Sequence, residues 1–350
     1  MNPRVPRVGS AATALGAVAV AALSLAPVVY LFATGISLGD IRAEFRYAAT
    51  TSAMVQTLQL VVLVSVLTVG LGVLGAVMVV RTTVAFPRTW TVLLTLPLAV
   101  PGFVSAYAAF SAELVFAPQR TWVTSLPGAS LVLALSLYPY VFLPCVVALR
   151  NIDPALEEMS ANLSASRLSR IRHVTLPSLR PALAAGLLIV ALHVLAEYGA
   201  MVQLGRSTLT TKIMAEMLDY GDYTSARSLS LLLAGFSILV LLGTRLLSPS
   251  GSAHRVARGT TRPPTRVRLG RRQVPVQVVA LLVPLLAVGP TVLMTVRGLT
   301  NVRRSVPVEW GQVISALSST TGYALVAAAV ATVAAFPVSW WINRRPSTAS

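Results

Sequence analysis

The chain has 350 residues, 55% of them hydrophobic and 11% charged, with a mean hydropathy of +0.75. About a quarter of the residues in a soluble domain are charged, so this composition excludes a soluble globular protein and indicates a polytopic membrane protein. The formal charge of +17 does not point to nucleic acid: 27 of the 28 basic residues are arginines, most of them clustered in short segments between apolar runs, which is a topology pattern.

A membrane-spanning helix needs about 20 mostly apolar residues. The sequence predicts eight, near Ala12–Ile36, Leu58–Val80, Thr89–Ser111, Ala129–Leu149, Ala182–Leu204, Leu229–Leu247, Val274–Val296 and Tyr323–Ile342. Unpaired backbone cannot face lipid and no strand-like alternation occurs, so the expected fold is all-α. The first apolar run continues uncharged from Arg7 to Gly39, longer than the roughly 7–15 residues of a leader's apolar core, and reads as a retained span. The single cysteine, Cys145, lies inside the fourth run; no disulfide within one chain is possible, and a buried inert thiol is expected.

The third span, "LLTLPLAVPGFVSAY", contains Pro97, Pro101 and Gly102. Prolines free carbonyls and kink a span, which is tolerated where neighbours or a cavity satisfy the backbone. A packing kink and a place on a translocation pathway are both compatible with this pattern.

Between spans four and five lies a polar stretch, Glu157 to Pro181, with six ionised side chains. Asp153-Pro154 is a good helix start. Leu156, Met159 and Leu163 then fall on one apolar stripe, with Glu157, Glu158 and Asn162 outside it. A second short turn carries Arg167, Arg170 and Arg172, and Pro177 and Pro181 mark the turn into the next span. On physics alone this is an amphipathic helix, suited either to lipid headgroups or to a groove on a partner.

The fifth span, "LLIVALHVLAEYGAMVQLG", holds Glu197, with His193 one turn earlier on the same face. An acid within a span costs about 2.5–3.5 kcal/mol on insertion scales, so it faces the protein interior or a wet cavity. The pair serves either as a structural bond between helices or as part of a pathway; a proton relay in a secondary transporter is the rival class. Further on, Ser248–Pro275 is rich in Pro, Gly, Ser and Arg without apolar periodicity, a flexible linker whose arginines also suit anionic lipid headgroups.

Sliding the chain against itself by 263 residues aligns Pro27 with Pro290, Val29 with Val292, Gly35 with Gly298, Thr57 with Thr320 and Arg81 with Arg344. A second parallel copy of the span–loop–span unit is therefore expected after the linker. The predicted division is 1–247 as a six-span half, 248–273 as linker and 274–350 as the first two spans of a second half. The copy breaks off there, as expected of a piece of a longer protein.

With the N-terminus inside, cytoplasmic segments hold 19 of the 28 basic residues, which predicts a multi-pass cell-membrane protein with a cytoplasmic N-terminus and places 157–181 in the cytoplasm. Asp40, Glu44, Glu216, Asp219, Asp222 and Glu309 fall outside, where a solvated loop surface accounts for them. The only lysine, Lys212 in "LTTKIM", is not part of a phosphate-binding G-x4-G-K-[ST] loop. No Cys/His cluster with metal spacing and no nucleophile–base set occurs, so neither an enzyme nor a resident metal or cofactor is expected.

The polar stretch resembles the cytoplasmic loop of binding-protein-dependent ABC importer permeases: Glu-Ala-Ala, three residues, Gly, nine residues, then Ile-x-Leu-Pro. Glu158, Met159 and Ser160 stand at the Glu-Ala-Ala positions, Ser164 at the Gly position, and Val174, Thr175, Leu176 and Pro177 at the end. The resemblance implies a coupling helix from Glu157 to about Ser164 that docks, through Leu156, Met159 and Leu163, on a separate dimeric ATPase subunit, with ATP used by that partner and cargo delivered by an extracytoplasmic binding protein. Ser164 departs from Gly, which matters if the backbone there needs positive φ. The segments "ALHVLAEYGAMVQL" and "TLTTKIM" are similar to the fifth span and outer loop of ferric iron permeases. Related permeases for thiamine, polyamines, sulfate or molybdate share the architecture. The resemblance implies that Pro97, Pro101 and Gly102 line the pathway; His193 and Glu197 are candidates for it from their place in the fifth span.

Overall fold

The computed structural model describes residues 8–33, 35–152, 175–247, 266–300 and 309–344. Helices are α1 (Val8–Ala33), α2 (Leu38–Glu44), α3 (Ala48–Arg81), α4 (Pro87–Thr95), α5 (Gly102–Phe116), α6 (Leu126–Leu137), α7 (Pro139–Arg150), α8 (Leu176–Ala196), α9 (Gly199–Gln203), α10 (Leu209–Leu218), α11 (Tyr223–Leu247), α12 (Gln273–Thr300) and α13 (Trp310–Arg344). Six continuous helices are long and apolar enough to cross a membrane, and two bent pairs raise the number to eight. The eight expected spans are thus found, but the third and fourth are broken rather than merely kinked.

The described residues form two compact units, 37–300 and a second made of 1–36 with 301–350. In the second unit α1 lies along α13, with Gly16 at the contact: a Cβ there would stand 3.0 Å from Pro337. A shift of 263 residues carries α3 onto 311–344, within one residue of α13, and the prolines inside α1 and α12, Pro27 and Pro290, also superpose in sequence. Both helices of the expected second copy therefore form, but α12 belongs to the larger unit, where it packs on α4, α5 and α6.

The larger unit is built around α7. Its flanks are α3, whose buried residues Thr57, Leu60, Val64, Thr68, Gly72, Ala76 and Val79 recur at helical spacing along one stripe, and α8. Small residues let these backbones approach. A Cβ on Gly72 would lie 2.9 Å from the Phe142 nitrogen, and one on Gly186 would lie 2.8 Å from the Tyr140 carbonyl oxygen. Lipid offers no hydrophobic drive between helices, so close contact of this kind is what holds the trio together. Tyr138, Phe142, Cys145 and Leu149 fill the interior between them, and the thiol of Cys145 is free and buried, as expected.

The loop acids mostly have local structural partners. Asp40 and Ser37 form a capping box at α2, Glu44 is buried and accepts from the Thr50 hydroxyl at 3.3 Å, and Lys212 pairs with Glu216 at 2.7 Å. Asp222 starts α11 by accepting from the Ser225 and Thr224 amides at 3.0 and 3.1 Å and from the Ser225 hydroxyl at 2.8 Å. These bonds, the Ser225 amide first, hold its carboxyl below the usual aspartate range.

Gly72→Ala will lower the thermal unfolding midpoint of the detergent-solubilised protein, with a cost of about 1–3 kcal/mol for overpacking. Gly70→Ala, where a Cβ meets nothing within 4 Å, will leave it unchanged or raise it, since alanine is the better helix former by up to about 1 kcal/mol. The Asp222 cap stabilises α11 above the ordinary aspartate pKa near about 4 and is lost as pH falls through its lower folded value. Asp222→Ala will therefore speed amide exchange at Thr224 and Ser225 at neutral pH, an effect of about 1 kcal/mol that disappears in acid.

Candidate functional site: a junction of three broken spans

Three spans lose their helical backbone at one place in the larger unit. In the third, α4 passes into a short 3-10 turn, Leu96–Ala99, and α5 restarts at Gly102 with a bend of 89°. Pro97 and Pro101 bring no amide hydrogens to this turn, so carbonyls before it need other donors. One comes from the fourth span: Tyr138, at the 46° bend between α6 and α7, is fully buried and its hydroxyl donates to the Leu94 carbonyl at 2.7 Å. The remaining gap is closed locally, Val100 donating to Pro97 and Val104 and Ser105 to Pro101.

The fifth span breaks at Glu197. Helix α8 stops at Ala196, Glu197 takes an extended backbone, and the five-residue α9 follows from Gly199. The freed carbonyl of Glu197 accepts from the Thr210 hydroxyl at 2.8 Å, and its carboxylate Oε1 accepts the Ala200 amide at 2.9 Å. The other carboxylate oxygen stands 3.5 Å from His193 Nε2. The first turn of α5 packs on this segment: a Cβ on Gly102 would lie 3.4 Å from Glu197 Oε2, and one on Gly199 would lie 3.0 Å from the Phe103 Cβ. The positive end of the α5 dipole therefore faces the carboxylate, which favours negative charge there. His193 is the more open of the pair, at 42% side-chain exposure against 12% for Glu197, and its ring lies tilted 6.2 Å from Tyr140.

Beyond the junction, the segment from Leu204 to Leu218 is tied back to α3. The Leu209 amide donates to Thr57 Oγ1 at 3.0 Å, and Arg206 donates to Gln56 at 2.6 Å and to the Thr124 carbonyl at 3.4 Å. A cavity of about 390 Å³ opens beside it, lined by Ala49, Met201, Arg206, Ser207, Lys212 and Glu216 among others. Among the described residues no group of three or more His, Cys, Asp or Glu side chains comes together as a metal site would require.

The structure thus brings Gly102, Glu197 and His193 together, with Pro97 and Pro101 forming the break that positions Gly102. Glu197 is not inside a helix, as its place in the apolar run suggested, but just past the end of one. Helix α8 begins at Leu176, includes Pro177 and Pro181, and runs 21 residues. That is about 31 Å, a full hydrocarbon thickness, so Glu197 lies at the opposite end of the span from Arg180. Leu176 and Pro177, expected in the coupling loop, form the first turn of α8, since proline suits that position. Leu156, Glu157, Glu158, Met159, Ser160, Leu163, Ser164 and Val174 lie outside the described residues. Sequence reasoning missed Tyr138, Thr57 and Thr210; a tyrosine before proline in "LYPYVFLP" and threonines in "TLTTKIM" were the available signals.

The described residues thus form a helical membrane bundle whose third, fourth and fifth spans are interrupted. Residues 69–250, just over half of the chain, match the family described as binding-protein-dependent transport system inner membrane component, and the chain belongs to that family. It is 31% identical over 207 residues to the Fe(3+)-transport system permease protein FbpB 2 of Haemophilus influenzae, covering 59% of this chain and 40% of that one. It is 28% identical over 165 residues to the sulfate transport system permease protein CysT of Salmonella typhimurium, covering 43% of this chain and 58% of that one. The ferric transport system permease protein FbpB of Actinobacillus pleuropneumoniae is 31% identical over 146 residues, 41% of this chain and 20% of that one. The matches therefore span less than two thirds of each of these relatives.

Tyr138→Phe will leave the Leu94 carbonyl without its donor at nearly constant side-chain volume. A loss of about 1–3 kcal/mol is expected for an unsatisfied buried acceptor, read as a lower unfolding midpoint of the solubilised protein.

Proposed function

We propose that this chain is the transmembrane permease subunit of an ATP-driven importer, taking ferric iron from an extracytoplasmic binding protein. The observation that carries this reading is the family match over residues 69–250, which takes in both the junction at Gly102 and Glu197 and the polar segment before α8. In this reading the chain sits in the cell membrane with its N-terminus in the cytoplasm and is organised as a first half to residue 247, a linker and the first two spans of a second half. Glu158 and the stripe Leu156, Met159 and Leu163 dock on a dimeric ATPase, which hydrolyses ATP on behalf of a chain that has no phosphate-binding loop of its own.

Alternating access needs an element with two arrangements, and the junction supplies the physical means. Its backbone is already held by side chains and turns rather than by a continuous helical ladder, so α5 can turn against Glu197 and α9 while α3, α7 and α8 stay packed. A carboxylate backed by an imidazole suits a ferric cation better than an anion. Two relatives named for ferric transport support the same cargo. The second reading, sulfate, rests on the CysT match and on Arg206 and Lys212 at the neighbouring cavity.

Cells carrying the transporter will take up labelled ferric iron and not labelled sulfate, and uptake will stop when the ATPase partner's phosphate-binding lysine is replaced. Uptake that survives this replacement but stops when the proton gradient is collapsed would instead identify a secondary transporter. Glu197→Gln will reduce iron uptake at least tenfold without loss of membrane insertion. Glu158→Arg or Leu163→Asp will abolish co-purification with the ATPase; undiminished co-purification overturns the docking role.

A further inference from the structure

We propose that Arg266, Arg268, Arg271 and Arg272, together with Arg88, form a binding site for the phosphate of anionic lipid headgroups at the start of α12. The end of the linker is not free at this point. Val267 lies in a parallel bridge beside Thr82, donating to the Arg81 carbonyl at 2.8 Å and accepting from the Thr83 amide at 3.1 Å. The Leu269 amide then donates to Thr83 Oγ1 at 3.2 Å, and Gln277 reaches the Ala85 carbonyl at 3.4 Å. The α3–α4 turn thereby clamps residues 267–269, and four exposed arginines are displayed within seven residues, with exposed Arg88 in the first turn of α4 that follows the clamping turn.

Their depth follows from what comes next. Val274, Val278, Val279, Leu282 and Leu285 on α12 are about half to two thirds exposed, a face that only hydrocarbon would cover. Arg271 and Arg272 immediately precede it, so the arginines lie in the headgroup layer, at the N-terminal end of a long helix where negative charge is also favoured. The stretches that form the clamp bring no acid of their own: the sequence has no Asp or Glu between Glu44 and Glu113, nor between Asp222 and Glu309. Guanidinium groups bind phosphate in a forked, two-bond geometry, and a clamped array of them matches clustered lipid phosphates. The clamp rests on backbone and Thr83, so the arginine side chains are available for lipid.

The test is the full chain in nanodiscs of phosphatidylcholine with a minor share of phosphatidylglycerol, with the lipid retained on the protein identified by native mass spectrometry. Wild type will be enriched in phosphatidylglycerol. The fourfold variant R266Q/R268Q/R271Q/R272Q will lose most of that enrichment, and the corresponding fourfold lysine variant will keep most of it. Thr83→Val, which loosens the clamp without touching charge, will weaken enrichment in wild type and have no effect in the glutamine variant. Enrichment unchanged in the glutamine variant overturns the proposal. Displacement of the lipid by inorganic phosphate at matched concentration overturns it in favour of a site for free anions.

Discussion

In hydrocarbon every backbone amide and carbonyl must find a partner inside the protein, and this chain interrupts three of its spans. The interruptions are tolerable because they meet. Tyr138, delivered by the bend of the fourth span, donates to the carbonyl left over at the end of α4, and Thr210 and the Ala200 amide close the gap opened at Glu197. Against lipid such breaks would leave polar backbone uncovered; here the fourth span supplies a donor to the third, and α10 supplies one to the fifth.

That requirement also divides the unit mechanically. The trio α3, α7 and α8 is locked by glycine-sized contacts, where a single added carbon collides with neighbouring backbone. At the junction the close approach of Gly199 is to the Phe103 side chain rather than to backbone, and hydrogen bonds together with the approach of the α5 N-terminus to a carboxylate hold the rest. Stiff scaffold and adjustable joint are therefore built from different interactions, close packing for one and replaceable polar bonds for the other. A permease of the proposed kind needs this separation, since force applied to one span end must move a gate without disassembling the bundle.

The two ends of the larger unit differ in charge and in how loops are held. At one end, Arg81, Arg88, Arg266, Arg268, Arg271 and Arg272 stand close in sequence to the clamp formed by residues 82–83 and 267–269. At the other, acids cap or pair locally, and Arg206 ties the loop before α10 to α3. The first end anchors the start of α12 to the turn between α3 and α4, although the whole stretch from α4 to α11 lies between them in sequence.

Span number, the all-helical fold and the interruption at Pro97, Pro101 and Gly102 follow from residue type alone, because hydropathy and proline act locally. The 263-residue shift read from the sequence carries the bounds of α3 to within one residue of those of α13. What sequence could not reveal was that Pro101-Gly102 and Glu197 face one another, or that Tyr138 belongs to the same junction, since spans far apart in the chain carry no local mark of which will touch. It also could not show that Glu197 lies beyond a helix end: apolar neighbours continue to Leu204, and the Thr210 hydroxyl that takes up the freed Glu197 carbonyl is brought there by another element.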